Sequence, residues 1–189
     1  MTPEQITSVL TSLFDAASVE HPSPDAWQIE TPQLRLLVIL STDLSWLRSL
    51  IPIAPIQQVQ PYIEQLLQSN FDLTQETRYA FSQGVLWGVF QHNLETLTPE
   101  DFKNAINRLI YLKENGLNDC FEQLVNQQVS QIIRIAKLQG QTFSDTMQSL
   151  DRLYAEGLLG GLEQTPEERE RFLNAWHKRL ESLWSEVQP

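Results

Sequence analysis

Residues 26–55 hold three short apolar segments, "AWQIE", "QLRLLVIL" and "LSWLRSLIPI", joined only through "TPQ" and "STD". This spacing narrows the possible folds more than any other feature of the chain. Parallel neighbours need a crossover of a dozen or more residues, and links this short cannot supply one, so the segments read as an antiparallel meander. In the second segment Leu34, Leu36 and Val38 fall on one face and Arg35, Leu37 and Ile39 on the other. Apolar residues on both faces predict a central strand. In the third, Leu44, Trp46 and Ser49 share no clean period, and Pro52 and Pro55 place its end at a sheet edge or beyond it.

A second strand pair is predicted in "RYAFSQGVLWGVFQ", with arms at 78–81 and 85–91. The three-residue loop "SQG" offers Gly84 for a positive φ. Val85, Trp87 and Val89 share one face of the second arm, and Leu86, Gly88 and Phe90 share the other. The rings of Tyr79, Phe81, Trp87 and Phe90 are therefore expected to build covered sheet faces, with no cofactor box.

Helical spacing frames these strands. Near the start, Thr2 as N-cap, Pro3 and Glu4 open a helix whose stripe is Ile6, Val9, Leu10, Leu13, Phe14 and Ala17, and "HPSPDAW" then reads as a turn. Between the strand groups, Ile56, Val59, Ile63, Leu66 and Leu67 recur at helical intervals. Pro61 would cost about 3 kcal/mol inside a helix, so the regular part is predicted to begin near Gln60.

After the second hairpin, "TLTPEDFKNAINRLIYLKENG" gives the plainest helix signals. Thr98 is the N-cap, Pro99 the first helical residue, Glu100 and Asp101 the acidic first turn and Gly116 the terminator. Its stripe is Phe102, Ala105, Ile106, Leu109, Ile110 and Leu112. The next helix carries Phe121, Leu124, Val125, Gln128, Ile132, Ile135 and Ala136 in register. Two more are predicted, from Ser144 to about Leu159 with Gly160 and Gly161 closing it, and from Thr165 to Val187 with a second "TPEE" cap. The expected class is α+β: an antiparallel sheet of about five strands with flanking helices, in a domain over 1–139, and a C-terminal helical extension over 140–189.

The order α-β-β-β-α-β-β-α across residues 3–115 resembles the type III secretion chaperone-like superfamily, including the YbjN-type proteins. The words that carry the likeness are the hairpin "RYAFSQGVLWGVFQHNLETLTPEDF" and the cap Leu97-Thr98-Pro99-Glu100-Asp101-Phe102 that opens the following helix. The resemblance implies an acidic cytoplasmic homodimer that acts by binding a polypeptide client. The residues after Gly116 have no counterpart in the compact core of that family.

Charge excludes several other roles. The net charge is -11, and no third of the chain is basic, which argues against nucleic acid and against anionic membrane surfaces. One cysteine, Cys120, rules out an internal disulfide, and "MTPEQITSVL" lacks the basic start and apolar run of a secretory signal, so a cytoplasmic location is expected.

The residues expected of an active site do not gather. His21, His92, His177 and Cys120 have no metal-ligand spacing, and no G-x-S-x-G elbow occurs. Cys120 stands near a predicted helix N-terminus, which could lower its pKa, but a small buried apolar role fits it better. Gly160-Gly161 follows a predicted helix, so it terminates one and cradles no phosphate. Glu100-Asp101 and Glu167-Glu168 suit helix starts. No catalytic residue, metal or cofactor is expected. One outward-looking feature remains, the stripe Phe172, Trp176, Leu180 and Trp184 on the last helix, which must cover either its own domain or a partner. The expected function is a non-enzymatic adaptor or chaperone-like protein for a polypeptide partner. The alternatives are a small-molecule sensor or enzyme with a pocket between sheet and helices, and a structural subunit of a larger complex.

Overall fold

The computed structural model describes residues 1–156 and 166–189, with the side chains of 166–169, 171 and 172 outside the described residues. Two compact units divide the chain, Met1–Cys120 and Phe121–Pro189. The division lies within a helix. Val125, Val129 and Ile133 bury in the second unit's own core.

The first unit is an α+β layer structure. Helix α1 (Pro3–Leu13) precedes strands β1 (Val19–Ser23), β2 (Ala26–Glu30), β3 (Arg35–Leu40) and β4 (Trp46–Pro55). A single turn α2 (Ile56–Val59), a short 3-10 segment and α3 (Ile63–Asp72) lead to β5 (Thr77–Ser82), β6 (Val85–Asn93) and α4 (Pro99–Glu114). Helix α5 (Gly116–Leu138) starts here and continues into the second unit, which also holds α6 (Phe143–Ala155) and α7 (Pro166–Leu183). All strands pair antiparallel in the order β1-β2-β3-β4-β6-β5.

The sheet has six strands where about five were expected. The extra one is β1, whose "VEHPS" reads as a turn because of Pro22. As an edge strand it tolerates a residue without an N–H, and its register shifts between Glu20 and Ser23. Pro52 is the second correction. It lies inside a central strand, where pairing with β3 has already stopped at Leu50 and the register against β6 shifts between Pro52 and Ala54. A bulge removes the need for the missing donor.

The loop of the second hairpin is shorter than "SQG" implied. Ser82 pairs with Val85, and Gln83 and Gly84 alone form the turn, with φ of 51° and 74°. Two successive positive φ values match the right-handed twist of the flanking strands. Pro61 sits in the 3-10 segment Gln60–Tyr62, so regular helix begins at Ile63 instead of Gln60. Gly116 also changes role. The cap of α4 is Asn115 in right-handed helical geometry, and Gly116 opens α5 beneath the Tyr79 hydroxyl, where a Cβ would have no room.

Capping agrees with the sequence at Thr2 and Thr98. Thr2 and Gln5 form a capping box on α1, and the Thr98 hydroxyl accepts from the Asp101 N–H at the start of α4. Between these helices and the sheet lies one cluster that includes Ile6, Leu10, Trp27, Leu36, Leu47, Ile51, Phe90, Phe102, Ile106 and Leu109, all but closed to solvent. The Trp27 indole N–H donates to the Thr7 hydroxyl at 2.9 Å, which ties β2 to α1. A smaller cluster of Val59, Leu66, Tyr79, Leu86, Leu112 and Cys120 fills the end under α3.

Gly88 is where α4 and the sheet come closest. A Cβ there would stand 2.8 Å from Cγ2 of Ile51 and 3.2 Å from Cδ2 of Leu109. Gly88→Ala is expected to lower unfolding free energy by about 1–3 kcal/mol through overpacking, read from the urea midpoint. The β3–β4 loop supplies a pH test. The hydroxyls of Ser41 and Ser45 donate to Asp43 at 2.6 and 2.7 Å and hold its carboxyl down at about 2. Folding depresses this pKa, so the loop's contribution is full above the unfolded value of about 3.9 and fades as pH falls towards 2. Carboxyl-detected NMR titration should place the Asp43 midpoint at the bottom of that window, and the double change of Ser41 and Ser45 to Ala should raise it.

Candidate partner-binding surfaces

Strand alternation decides which residues of the first unit meet the helices. Register places Gln28, Leu37, Leu50, Val89 and Arg78 in one cross-strand row on the outer face, with Ile39, Arg48 and Gln91 in the next. Leu37, Ile39, Leu50, Trp87 and Val89 belong to no hydrophobic cluster of the described residues, although all are apolar. The helices therefore cover the inner face and leave this one to its own side chains.

A groove of about 330 Å³ runs over that face, lined by Leu50, Ala80, Trp87 and Val89 with Arg48, Arg78, Ser82 and Gln83 around them. The Trp87 indole N–H donates to the Ser82 carbonyl at 3.2 Å, which orients the ring. Arg48 is fixed as well: its Nε and Nη2 donate to Oε1 of Gln91 at 2.9 and 2.7 Å, and its guanidinium lies 4.9 Å from the Trp46 ring centre.

A second apolar surface stands on α3. Phe71 is 90% exposed and Leu67 is 63% exposed, one helical turn apart on the same side. The sequence pattern had Leu67 in the buried stripe; the structure buries Val59, Leu66, Gln65 and Ser69 instead. Phe81, expected to be covered, is 43% exposed, while Tyr79 and Phe90 are buried as expected and Trp87 is half-buried.

The edge of β5 is closed by a side chain. Asn70 of α3 accepts from the Tyr79 N–H at 2.7 Å and donates to the Tyr79 carbonyl at 3.1 Å, so its amide occupies the place of a neighbouring strand. The Thr77 N–H is taken in turn by the Thr74 carbonyl at 3.0 Å. An edge satisfied in this way offers little to a strand from another chain.

The last helix serves the second unit itself. Trp176 and Leu180 are buried with Val125, Val129, Ile133 and Leu150, and Trp184 packs edge-on against Phe143 at 5.5 Å while Lys137 lies over its ring. Trp176 and Leu180 of this stripe are thus covered within the unit. Phe172 lies outside the described residues, as do the Gly160-Gly161 terminator and the Thr165 cap. On α5 beyond Cys120 the buried positions are Val125, Val129, Ile133 and Ala136, while Gln128 and Ile135, placed in the stripe by the sequence, face outward. Helix α6 starts one residue before the expected Ser144, on a Thr142–Asp145 capping box.

The residues weighed for chemistry stand apart. His177 Nε2 meets Oδ1 of Asp151 at 2.6 Å, His92 Nδ1 lies 2.8 Å from the Asn93 carbonyl, and His21 rests against Trp27. Cys120 is buried, and that burial pushes its thiol pKa up despite an opposing hydrogen bond with Ser69. The helix start therefore does not activate it. Burial likewise raises the Tyr79 phenol. Among the described residues no three His, Cys, Asp or Glu side chains converge on one point, and no helix is long and apolar enough to cross a membrane.

No protein-family model and no curated protein matches the chain. Solved structures similar to it include the ExsC–ExsE complex, at 16% identity over 60% of this chain and 92% of that one, with a TM-score of 0.46. The ExoU–SpcU heterodimer from the type III secretion system of Pseudomonas aeruginosa aligns at 14% identity over 51% and 83%, with a TM-score of 0.42. The HopA1–SchA chaperone–effector complex aligns at 11% identity over 58% and 94%, with a TM-score of 0.42.

Replacing Asn70 by Ala leaves the outward N–H and C=O of Tyr79 without their partner. Stability should fall by about 1–2 kcal/mol in urea unfolding, and light scattering should show increased self-association as the β5 edge opens.

Proposed function

We propose that this protein is a non-enzymatic, cytoplasmic adaptor or chaperone-like protein that holds a polypeptide partner and works as a homodimer. The observation that carries the reading is the outer sheet face, where half-buried Leu37, Ile39, Leu50 and Trp87, with Val89 buried among them, form an apolar patch that joins no hydrophobic cluster among the described residues. An apolar groove with polar residues around it is the kind of surface that protein contact sites use. The inner side of the sheet supports the same reading over a sensor or enzyme with a pocket there, since Trp27, Ile51, Phe90 and Phe102 fill it. For the second copy, the α3 ridge is the assigned contact. Leu67 and Phe71 project from one helix face, and a two-fold axis would set each ridge against its equivalent.

Two measurements test this. Multi-angle light scattering of the full chain should give twice the chain mass, falling to a single chain with Phe71→Glu while far-UV circular dichroism is unchanged. Affinity purification from the native cell, followed by reconstitution with the purified partner, should yield a binary complex that Leu50→Ser weakens about tenfold. Recovery of no polypeptide that reconstitutes would overturn the adaptor reading, and a single-chain mass for the unaltered protein would overturn the homodimer.

A further inference from the structure

The basic residues of this chain are unevenly placed. Before Lys103 the only ones are Arg35, Arg48 and Arg78, and the strand register puts all three on the outer face of the sheet. Arg35 is neutralised by Glu30 at 2.7 Å. The other two are not: Arg48 is held by the neutral amide of Gln91, Arg78 makes no ion pair among the described residues, and no side chain lining the groove between them is acidic. In a protein of net charge -11, an apolar groove flanked by two uncompensated guanidinium groups is a local reversal of sign.

From this we infer that the outer-face groove binds an acidic segment of a polypeptide, with a large apolar side chain seated on Trp87, Leu50 and Val89 and carboxylates on either side meeting Arg48 and Arg78. The inference rests on the proposed polypeptide-binding function and adds the chemistry of the segment bound. Arg48 and Arg78 arise from β4 and β5, with β6 between them and an offset of two residues along it, so their backbones are about 12 Å apart. One small carboxylate would satisfy one guanidinium; a chain with acidic residues flanking an apolar one engages both. Arg48 is already oriented by Gln91 and Trp46, which lowers the ordering cost of binding. The β5 edge is a poorer site for the same segment, because Asn70 already satisfies the outward groups of Tyr79.

The test is selection of a random twelve-residue peptide library on the full-length protein, compared with the double variant Arg48→Gln, Arg78→Gln and with Arg35→Gln. Selected peptides should be enriched in Asp and Glu beside Leu, Phe or Trp. Synthetic copies should bind about tenfold more weakly to the double variant, the size expected for lost charge-assisted hydrogen bonds, and equally well to Arg35→Gln. In heteronuclear spectra the same peptides should shift the Trp87 indole and the Val89 and Ala80 amides. Enrichment of uncharged or basic peptides, affinity indifferent to the two arginines, displacement of the peptides by millimolar benzoate, or no enrichment at all would each overturn the assignment. The adaptor reading is judged separately: a native partner that reconstitutes with the double variant at full affinity removes this groove assignment and leaves that reading in place. Matching urea midpoints for the variants confirm that binding, and not folding, was measured.

Discussion

Close contact between α4 and the centre of the sheet is the constraint on which the first unit depends. Leu109 reaches the backbone of β6 at Gly88, with Ile51 of β4 beside it, because that position carries no side chain. Phe102, Ala105 and Ile106 extend the same stripe along the helix, and α1 completes the layer through Ile6 and Leu10. Once this inner face is occupied, every alternate residue of β3, β4 and β6 is committed to the opposite side. The outer face is thus a consequence of where the helices pack.

That consequence shapes what the molecule can bind. Sheets offer a partner two kinds of surface, an edge of backbone groups and a face of side chains. At β5 the edge is answered from within by Asn70 and Thr74, and at β1 it is broken by Pro22 and a register shift. The face keeps Trp87, Leu50 and Val89 in a groove, with positive charge at its sides and a strongly negative chain around it. Affinity there would come from apolar contact and selectivity from charge.

The second unit follows a different economy. Among the described residues α5, α6 and α7 bury Val129, Ile133, Leu150, Trp176 and Leu180 together, so Trp176 and Leu180 of the last helix's stripe lie in that core. Lys137 donates to the carbonyls of Trp184 and Val187, which stabilises the end of the chain beyond α7. An amphipathic helix in sequence announces that it needs a cover, but the cover itself is a three-dimensional fact. Here α5 and α6 were near enough to provide it.

Local chemistry was legible from residue order alone. Thr2-Pro3 and Thr98-Pro99 announced helix starts because capping and proline geometry act within one turn, and the links "TPQ" and "STD" demanded antiparallel neighbours because so few residues cannot cross a sheet. What depended on neighbours distant in sequence was not legible. Pro22 and Pro52 could be strand residues only because one lies at an edge and the other at a bulge. Val129 and Ile133 are buried where Gln128 and Ile135 were expected, since a row of adjacent apolar residues fits more than one helical stripe. Leu67 and Trp87 read as core from their spacing, and only packing reveals that one faces outward and the other lines a groove. Helix starts at Thr2 and Thr98, antiparallel pairing and acidic character could be read from residue order, because they are set within a few residues or by simple sums. Which apolar residues stay uncovered, and that Arg48 and Arg78 flank the same groove, was decided by tertiary structure, because strand register brings together residues thirty positions apart.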